Sequence, residues 1–251
     1  MDIYNSICTL NNEFITAKFI FGKLKVKIND VNIYNKLQPS IINKIKIIDL
    51  SNTSISDVSM LGNCEELNLS NCPNITDVSM LGKVKKLNLS NCPNITDVSM
   101  LGKVKNLNLS KCTGIRDVSA LGKVENLNLS LCYRILDVSM LTDVKVLNLL
   151  GCVNITNVSA LGNCEELNLT NLFNLSDVSA LGNVKILKLI RCIDVIDVSK
   201  LHKVKFLNIS ECINISDVSM LGNCEYLNIS KCRNIRDISA LGNVKKLILS
   251  H

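Results

Sequence analysis

The amino-acid sequence predicts an α/β-type solenoid, in which short structural units stack along one axis. The first observation is a period of twenty residues that fills residues 45–251 almost without slippage. The second is a pair of apolar residues, two positions apart, in every unit. The third is a run that reads DVSML or a close variant, and it begins at Asp57, Asp77, Asp97, Asp117, Asp137, Asn157, Asp177, Asp197, Asp217 and Asp237. A constant period in this range indicates a solenoid.

The apolar pair predicts a short β-strand in each unit. In residues 61–80, LGNCEELNLSNCPNITDVSM, Leu67 and Leu69 have the spacing of a strand that buries one face. The same pair recurs at Leu87/Leu89, Leu107/Leu109, Leu127/Leu129, Leu147/Leu149, Leu167/Leu169, Leu187/Leu189, Leu207/Ile209, Leu227/Ile229 and Leu247/Leu249, and Ile48/Leu50 is an earlier member. In-register stacking of these eleven segments predicts one parallel sheet, about 48 Å long.

Two further columns of the repeat predict tight turns. The Asp residue that opens Asp-Val-Ser-x-Leu suits a single 3-10 turn, with Asp or Ser capping its free N–H groups. Another column is rich in residues that tolerate a left-handed backbone. Its members are Asn74, Asn94, Gly114, Arg134, Asn154, Asn174, Asp194, Asn214 and Asn234.

Most of the twelve cysteines also follow the period. One column comprises Cys72, Cys92, Cys112, Cys132, Cys152, Cys192, Cys212 and Cys232. Cys64, Cys164 and Cys224 share a second column with Val, so Cys acts there as a small hydrophobe. Stacked neighbours lie about 5 Å apart, which permits a disulfide by distance. In a cytosolic setting we predict reduced, buried thiols instead.

These motifs carry a family resemblance. LxxCxxLxLxxCxxI resembles the leucine-rich repeat, with Cys where many members have Asn, and ITDVSxL resembles the convex segment of the short, internalin-like class. The Cys variant is similar to repeats of F-box substrate receptors. The composition, rich in Asn, Ile and Lys, is similar to that of leucine-rich repeat proteins of giant amoeba-infecting DNA viruses. The resemblance implies a parallel β-sheet on the concave face and short 3-10 or turn segments on the convex face. Little true α-helix is expected, because the unit is shorter than is typical of the family.

The two ends differ from the array. Residues 1–46 are predicted to form an N-terminal β-rich cap, with a hairpin around Gly22, and residues 47–251 the leucine-rich repeat array. A small docking module is the alternative for the first segment. An F-box there would imply a ubiquitin-ligase receptor. The Leu-Pro pair that begins such a motif and the acidic residues that follow it are missing from this segment. The array is expected to be uncapped at the C-terminus. Two interpretations stay open: the chain is a truncated copy, or the open end associates with another chain.

Charge and hydropathy bear on the class of partner and on location. The net charge of +6 is mild and forms no basic stripe, so no nucleic-acid partner is expected. No apolar stretch approaches the roughly 18 residues that cross a membrane, and the N-terminus does not resemble an export signal. We expect a cytoplasmic protein, located in the host cytoplasm if it is viral, without a membrane partner.

The sequence gives no sign of catalysis or of a cofactor. It contains no glycine-rich phosphate loop, no paired carboxylates outside the repeat and no His beside a nucleophile. Two His residues are too few for a zinc site. The Asp column could instead bind a row of cations, but Asn157 would interrupt that row. We therefore expect a protein that is not an enzyme and that holds no metal or cofactor.

The outward strand positions hold the predicted binding site. The middle outward column is mostly Asn, which predicts a structural ladder of hydrogen-bonded amides. The columns on either side turn apolar late in the array, which indicates a site for a protein partner, including a host protein, on the concave sheet. The predicted contact set is Val146, Leu150, Ile186, Lys188, Ile190, Phe206 and Tyr226. The alternatives are a substrate-recognition subunit of a ubiquitin-ligase-type complex, self-association, and a structural or decaying repeat protein with no specific ligand.

Overall fold

The computed structural model describes residues 15–20 and 23–250, which form one open sheet of thirteen strands in chain order. Strands β1 (Ile15–Ile20) and β2 (Lys23–Ile28) form an antiparallel hairpin. Strand β2 then pairs in parallel with β3 (Ile47–Asp49). The remaining strands are β4 (Glu66–Asn68), β5 (Lys86–Asn88), β6 (Asn106–Asn108), β7 (Asn126–Asn128), β8 (Val146–Asn148), β9 (Glu166–Asn168), β10 (Ile186–Lys188), β11 (Phe206–Asn208), β12 (Tyr226–Asn228) and β13 (Lys246–Ile248).

The predicted solenoid is therefore confirmed, with one addition. All eleven repeat strands form as β3 to β13, and each pairs in parallel with the next. Strand β2 was expected only as part of a cap, yet it joins the same sheet as a twelfth parallel strand. Its register with β3 places Val26 opposite Ile48, so the hairpin extends the apolar column of the array.

Two short helices connect β2 to β3. Helix α1 (Val31–Lys36) begins after Asp30, whose side chain accepts a hydrogen bond from the Asn32 N–H at 2.8 Å. Helix α2 (Pro39–Ile42) begins with proline, whose missing N–H costs nothing in the first turn. These helices were not predicted individually. They bury Ile33, Tyr34 and Ile42 in the core.

The core is one continuous aliphatic column. In residues 61–80 its members are Leu61, Cys64, Leu67, Leu69, Cys72, Ile75 and Val78, each no more than 4% exposed. Burying a side chain of Leu size contributes roughly 1.5–3 kcal/mol, and here that burial depends on the neighbouring units. The inward residues thus fix the direction of the outward columns that a partner would meet.

The convex side consists of 3-10 turns, as predicted, and Asp is the residue that caps them. Their bounds are Ser59–Leu61, Ser79–Leu81, Ser99–Leu101, Ser119–Lys123, Ser159–Leu161, Ser179–Asn183, Ser199–Leu201, Ser219–Leu221 and Ser239–Leu241. Asp97 Oδ1 accepts a hydrogen bond from the Ser99 N–H at 2.8 Å, and Asn157 makes the same bond to Ser159 at 2.9 Å. An amide oxygen therefore serves as well as a carboxylate in this position.

A glycine column lets successive turns approach closely. A Cβ placed on Gly82 would lie 2.2 Å from the carbonyl oxygen of Met100, a backbone atom of the next unit. Thr142 and His202 replace this glycine. The 3-10 turn is absent at residues 139–141, beside Thr142, but present as Ser199–Leu201 beside His202. Replacing the glycine therefore does not by itself abolish the turn.

The prediction for the left-handed column was wrong. Positive φ falls three residues earlier, at Asn52, Asn71, Asn91, Lys111, Leu131, Gly151, Asn171, Arg191, Glu211 and Lys231. At this point the chain leaves the strand and must turn away from the sheet. The predicted column instead joins neighbouring loops, since the Asn94 amide donates to the Pro73 carbonyl and the Asn214 amide to the Ile193 carbonyl, both at 2.8 Å.

The cysteine column joins neighbouring units through buried thiol hydrogen bonds. The Cys132 Sγ donates to the Leu109 carbonyl at 3.1 Å, and the Cys212 Sγ donates to the Leu189 carbonyl at 2.9 Å. Thr53 takes the equivalent place in the first unit, where its hydroxyl donates to the Leu50 carbonyl at 2.7 Å. The eleven cysteines of the described residues are all free and buried, and Cys8 lies outside the described residues.

Candidate functional site

The outward face of the sheet consists of two columns on every strand. The first column comprises Glu66, Lys86, Asn106, Asn126, Val146, Glu166, Ile186, Phe206, Tyr226 and Lys246. The second begins at Asn68 and ends at Ile248, and parallel pairing sets each member directly opposite the next. A groove of about 580 Å³ runs across strands β2 to β8 on this side, so the face is concave.

The second column is mostly Asn, but its amides do not form the predicted ladder. Each Oδ1 is used within its own unit: Asn88 accepts from the Ser90 N–H and Asn108 from the Ser110 N–H, both at 3.0 Å. Among the described residues, the one bond between units in this column joins the Asn68 amide to Asp49, at 3.1 Å. The N–H two residues after each of these Asn residues, such as that of Ser90, is the one that the amide oxygen satisfies, whereas the N–H between them, such as that of Leu89, bonds to the next strand. The role is structural but local.

The groove over β2 to β8 combines polar outward side chains with apolar side chains such as Leu87 and Leu107. Lys86 pairs with Glu66 at 2.8 Å, and the Asn126 amide donates to Asn106 Oδ1 at 2.6 Å. Of the predicted contact set, Val146 alone lines this groove. The sequence did not predict this groove, because it arises from the curvature of the sheet, which no single residue encodes.

The later strands bring four predicted contact residues together. Ile186, Phe206 and Tyr226 occupy the first column of three successive strands, and Phe206 is 38% exposed. Lys188 is exposed in the second column of β10. Lys246 follows Tyr226, with its Nζ 5.7 Å from the centre of the Tyr226 ring, in range for a cation–π interaction.

The other three predicted residues lie outside this cluster, although Val146 lines one small groove with Ile186 and Lys188. Val146 is two strands away from Ile186, with Glu166 between them in the same column. Leu150 and Ile190 follow the ends of β8 and β10 and are half-buried. The corresponding residue of the unit between them, Thr170, is buried and polar. The predicted patch is therefore a compact cluster on β10 to β12 with separate apolar side chains beyond it.

The charge around the cluster is positive. On β10 to β13 the outward positions hold Lys188 and Lys246 and no carboxylate. The nearest acid of the first column is Glu166 on β9. The cluster thus combines an apolar surface, two aromatic rings and two ammonium groups.

The Asp column on the convex side has a structural explanation. Hydrogen bonds from Ser N–H groups hold the pKa of Asp77, Asp97 and Asp197 below the usual value for a carboxyl. Within residues 15–20 and 23–250, no three His, Cys, Asp or Glu side chains group as metal ligands. No helix in that part of the chain is long and apolar enough to cross a membrane.

Comparison with solved structures identifies the fold. An internalin, InlF, of Listeria monocytogenes has a TM-score of 0.57 at 19% identity over 88% of this chain and 86% of that one. The functional domain of InlJ of the same organism, which includes a cysteine ladder, has a TM-score of 0.55 at 17% identity over 85% of this chain. A leucine-rich repeat protein of Leptospira interrogans has a TM-score of 0.50 at 16% identity over 89% of this chain and 76% of that one.

These structures show the leucine-rich repeat solenoid fold for this chain. The chain spans 55% of the InlJ structure, so the similarity leaves much of that protein unmatched. No protein-family model matches the chain, and no curated protein matches it by sequence.

Proposed function

We propose that this leucine-rich repeat solenoid is a noncatalytic scaffold that binds a protein partner on its concave sheet. The observation that carries the proposal is the alignment of Ile186, Phe206 and Tyr226 on three successive strands of the outward face. A solenoid exposes such columns without closing them, which suits it to binding extended surfaces. Aromatic side chains at the centre of a patch are frequent anchors of protein interfaces.

The contact set divides into a centre and a periphery. Ile186, Phe206 and Tyr226 form the apolar centre, and Lys188 supplies a charge beside it. The peripheral members of the set are Ile190, Leu150 and Val146. A partner that reached from β8 to β12 would cover about 19 Å, four steps of strand spacing. Glu166 lies on that path, so the partner would present a polar or basic group opposite β9.

A protein fits this surface better than a nucleic acid. The first column carries Glu66 and Glu166 as well as Lys86 and Lys246, so it does not form a continuous basic track. The buried, free thiols support a reducing compartment, and we propose a cytoplasmic location on that ground.

A pull-down from native cell lysate tests the proposal. The bait proteins are the wild-type chain, the double variant Ile186→Asp/Phe206→Asp and a matched control, Met80→Asp/Met100→Asp. The control places the same charges on the convex side, where Met80 is 59% and Met100 60% exposed. Circular dichroism and thermal melting establish that all three proteins are folded.

We expect a partner that wild type and the convex control retain and that the concave variant loses. The same proteins on all three baits, or none on any bait, would contradict a concave site and would favour a structural array or self-association through the end of the sheet. Recovery of a cullin adaptor would point to the ubiquitin-ligase alternative.

A further inference from the structure

A second apolar surface lies outside the concave sheet, in the loops that follow the strands. We name it the exit stripe, and it consists of Tyr133, Val153, Phe173, Ile193 and Ile213. These residues occupy one position in five successive units. Tyr133, Ile193 and Ile213 are 46%, 36% and 44% exposed, and the other two are half-buried. Unlike the concave cluster, the stripe has no charged member within it.

The stripe is specific to the middle of the array. Earlier units have Pro73, Pro93 and Thr113 at this position, and the unit after the stripe has Arg233. The loop itself does not require a bulky apolar residue, since the same turn forms with proline or threonine. Leu136 and Ile196, three residues further along in two of these units, are exposed by 67% and 64% and widen the apolar surface.

The loops of the stripe are held in register by hydrogen bonds. The Asn154 amide donates to the Tyr133 carbonyl at 2.6 Å, and the Asn214 amide donates to the Ile193 carbonyl at 2.8 Å. These bonds fix the spacing of the apolar side chains. They also occupy backbone carbonyls that an added β-strand would need as acceptors. A partner would therefore bind the stripe through its side chains and not by strand addition.

The last three stripe residues are each followed, four positions further along, by a member of an acidic row. Asp177, Asp197 and Asp217 are exposed, and the Ser N–H groups that bond to them lower their pKa values, so all three are ionised at neutral pH. A groove of about 220 Å³ places Asp197 and Asp217 around the side chains of Ile196 and Met220.

Nearby cations compensate this row only in part. Lys200 offsets part of the charge at Asp197. In two earlier units, Arg116 and Arg134 line one groove together with the capping residues Asp117 and Asp137. The row of Asp177, Asp197 and Asp217 therefore keeps a net negative charge.

The opposite border of the stripe contributes little net charge. Arg191 lies 5.9 Å from the centre of the Phe173 ring and pairs with Glu211 at 3.5 Å. Lys231 also pairs with Glu211, at 3.2 Å. A ligand on the stripe would therefore meet an apolar line with a negative border on its convex side.

We propose that the exit stripe binds an amphipathic α-helix of a partner protein, with its apolar face on the stripe and basic residues toward Asp177, Asp197 and Asp217. Five stacked units span roughly 20 Å, which a helix of about 13 residues covers. The acidic row repels an anionic membrane or a nucleic acid, which carry the wrong charge. This surface is separate from the proposed concave site and does not depend on it.

A pair of designed peptides tests the proposal. Both are fluorescently labelled amphipathic helices of about 13 residues, with leucine on the apolar face and either lysine or glutamate elsewhere. Fluorescence anisotropy with the full chain measures their affinities. The variants are Phe173→Ser/Ile193→Ser, which removes apolar contacts, and Asp177→Asn/Asp197→Asn, which removes charge but keeps the turn caps, as Asn157 shows. Met80→Ser, which changes an exposed apolar side chain of an early unit outside both proposed surfaces, is the matched control.

We expect the lysine peptide to bind and the glutamate peptide not to bind. The Phe173/Ile193 variant should weaken binding about tenfold or more, equivalent to about 1.4 kcal/mol. The Asp177/Asp197 variant should weaken it and reduce its dependence on salt, and Met80→Ser should leave it unchanged. Equal affinity for both peptides, absence of binding, or wild-type affinity in the folded Phe173/Ile193 variant would each overturn the proposal. Binding of the chain to anionic lipid vesicles in place of the peptide would overturn the choice of occupant.

Discussion

Gly82 shows how closely successive units approach at the scale of one residue. Because an added Cβ would lie 2.2 Å from the Met100 carbonyl oxygen, alanine there forces the backbone of two turns apart. Gly242 occupies the same place in the last described unit, and a Cβ on it would meet nothing within 4 Å. The two glycines therefore share a backbone conformation but differ in packing.

This difference gives a matched prediction. We expect Gly82→Ala to lower the free energy of unfolding by about 1–3 kcal/mol, the range for overpacking. Gly242→Ala should be neutral or stabilising by up to about 1 kcal/mol, since alanine restricts the unfolded chain. Urea unfolding followed by circular dichroism measures both changes. Equal costs at the two sites would show that glycine serves the turn itself and not the contact between units.

The buried thiols give a second prediction at this scale. Burial raises the pKa of Cys112, Cys132 and Cys152 to about 12, so almost no thiolate is present at neutral pH. We expect a thiol reagent to label the eleven described cysteines very slowly in the folded chain and rapidly in urea. Mass spectrometry locates the labelled residues. Fast labelling of Cys132 in the folded protein would contradict the buried ladder.

Single-residue requirements were only partly predictable from the sequence. Burial of Cys64, Cys164 and Cys224 followed from their exchange with Val in one column. The left-handed column did not, because Lys111, Leu131 and Arg191 have positive φ although their side chains do not favour it. There the strand pairing of the array imposes the conformation, whatever the residue.

The 3-10 turns give a prediction at the scale of elements. The pKa of Asp97 is lowered from 3.8 by the hydrogen bond from Ser99, and the other capping Asp residues behave alike. Because the folded pKa lies below the unfolded value, these carboxylates stabilise the fold above the unfolded pKa. That stabilisation is lost as pH falls through the folded pKa.

We therefore expect the urea midpoint to fall as the pH drops below about 4. Replacing several capping Asp residues by Asn should flatten this dependence, because Asn157 already makes the same bond without a titrating group. Urea titrations of the wild type and of an Asp77→Asn/Asp97→Asn/Asp117→Asn variant over this pH range measure the effect. An identical pH dependence in both proteins would refute the assignment to the caps.

Strands and turns were predictable because each has a fixed place in the period. The two short helices were not, because Val31–Lys36 and Pro39–Ile42 lie before the array, where no repetition reinforces a weak local signal. The Asn column was placed correctly on the sheet, but its hydrogen bonds were assigned to the wrong partners. Spacing fixes the position of a side chain, but the partner of the Asn88 amide oxygen is decided by the nearby Ser90 N–H, two residues further along.

At the scale of the whole molecule, the array makes stability depend on position. Leu127 is 2% exposed in the middle of the sheet, whereas Leu247 on β13 is half-buried. We expect Leu127→Ala to cost about 2–5 kcal/mol and Leu247→Ala clearly less. Hydrogen exchange should show the damage from Leu127→Ala strongest in the neighbouring units. Uniform loss of protection along the chain would contradict the linear coupling of units.

The curvature of the sheet limits what the sequence can say about binding. The cluster of Ile186, Phe206 and Tyr226 was predictable because three bulky residues share one column. The groove over β2 to β8 and the exit stripe were not predicted, the first because it depends on curvature and the second because spacing along the repeat does not give the exposure of a loop side chain. The concave cluster and the exit stripe are proposed as independent surfaces.

The most direct test of the concave site is site-specific photo-crosslinking in cell lysate. A benzoyl-phenylalanine replaces Phe206 in one protein and Met100, on the convex side, in another, so that each probe is exposed. We expect a discrete crosslinked partner from position 206 that position 100 does not give. The same crosslinked species from both positions, or none from position 206, would contradict a protein-binding site on the concave sheet.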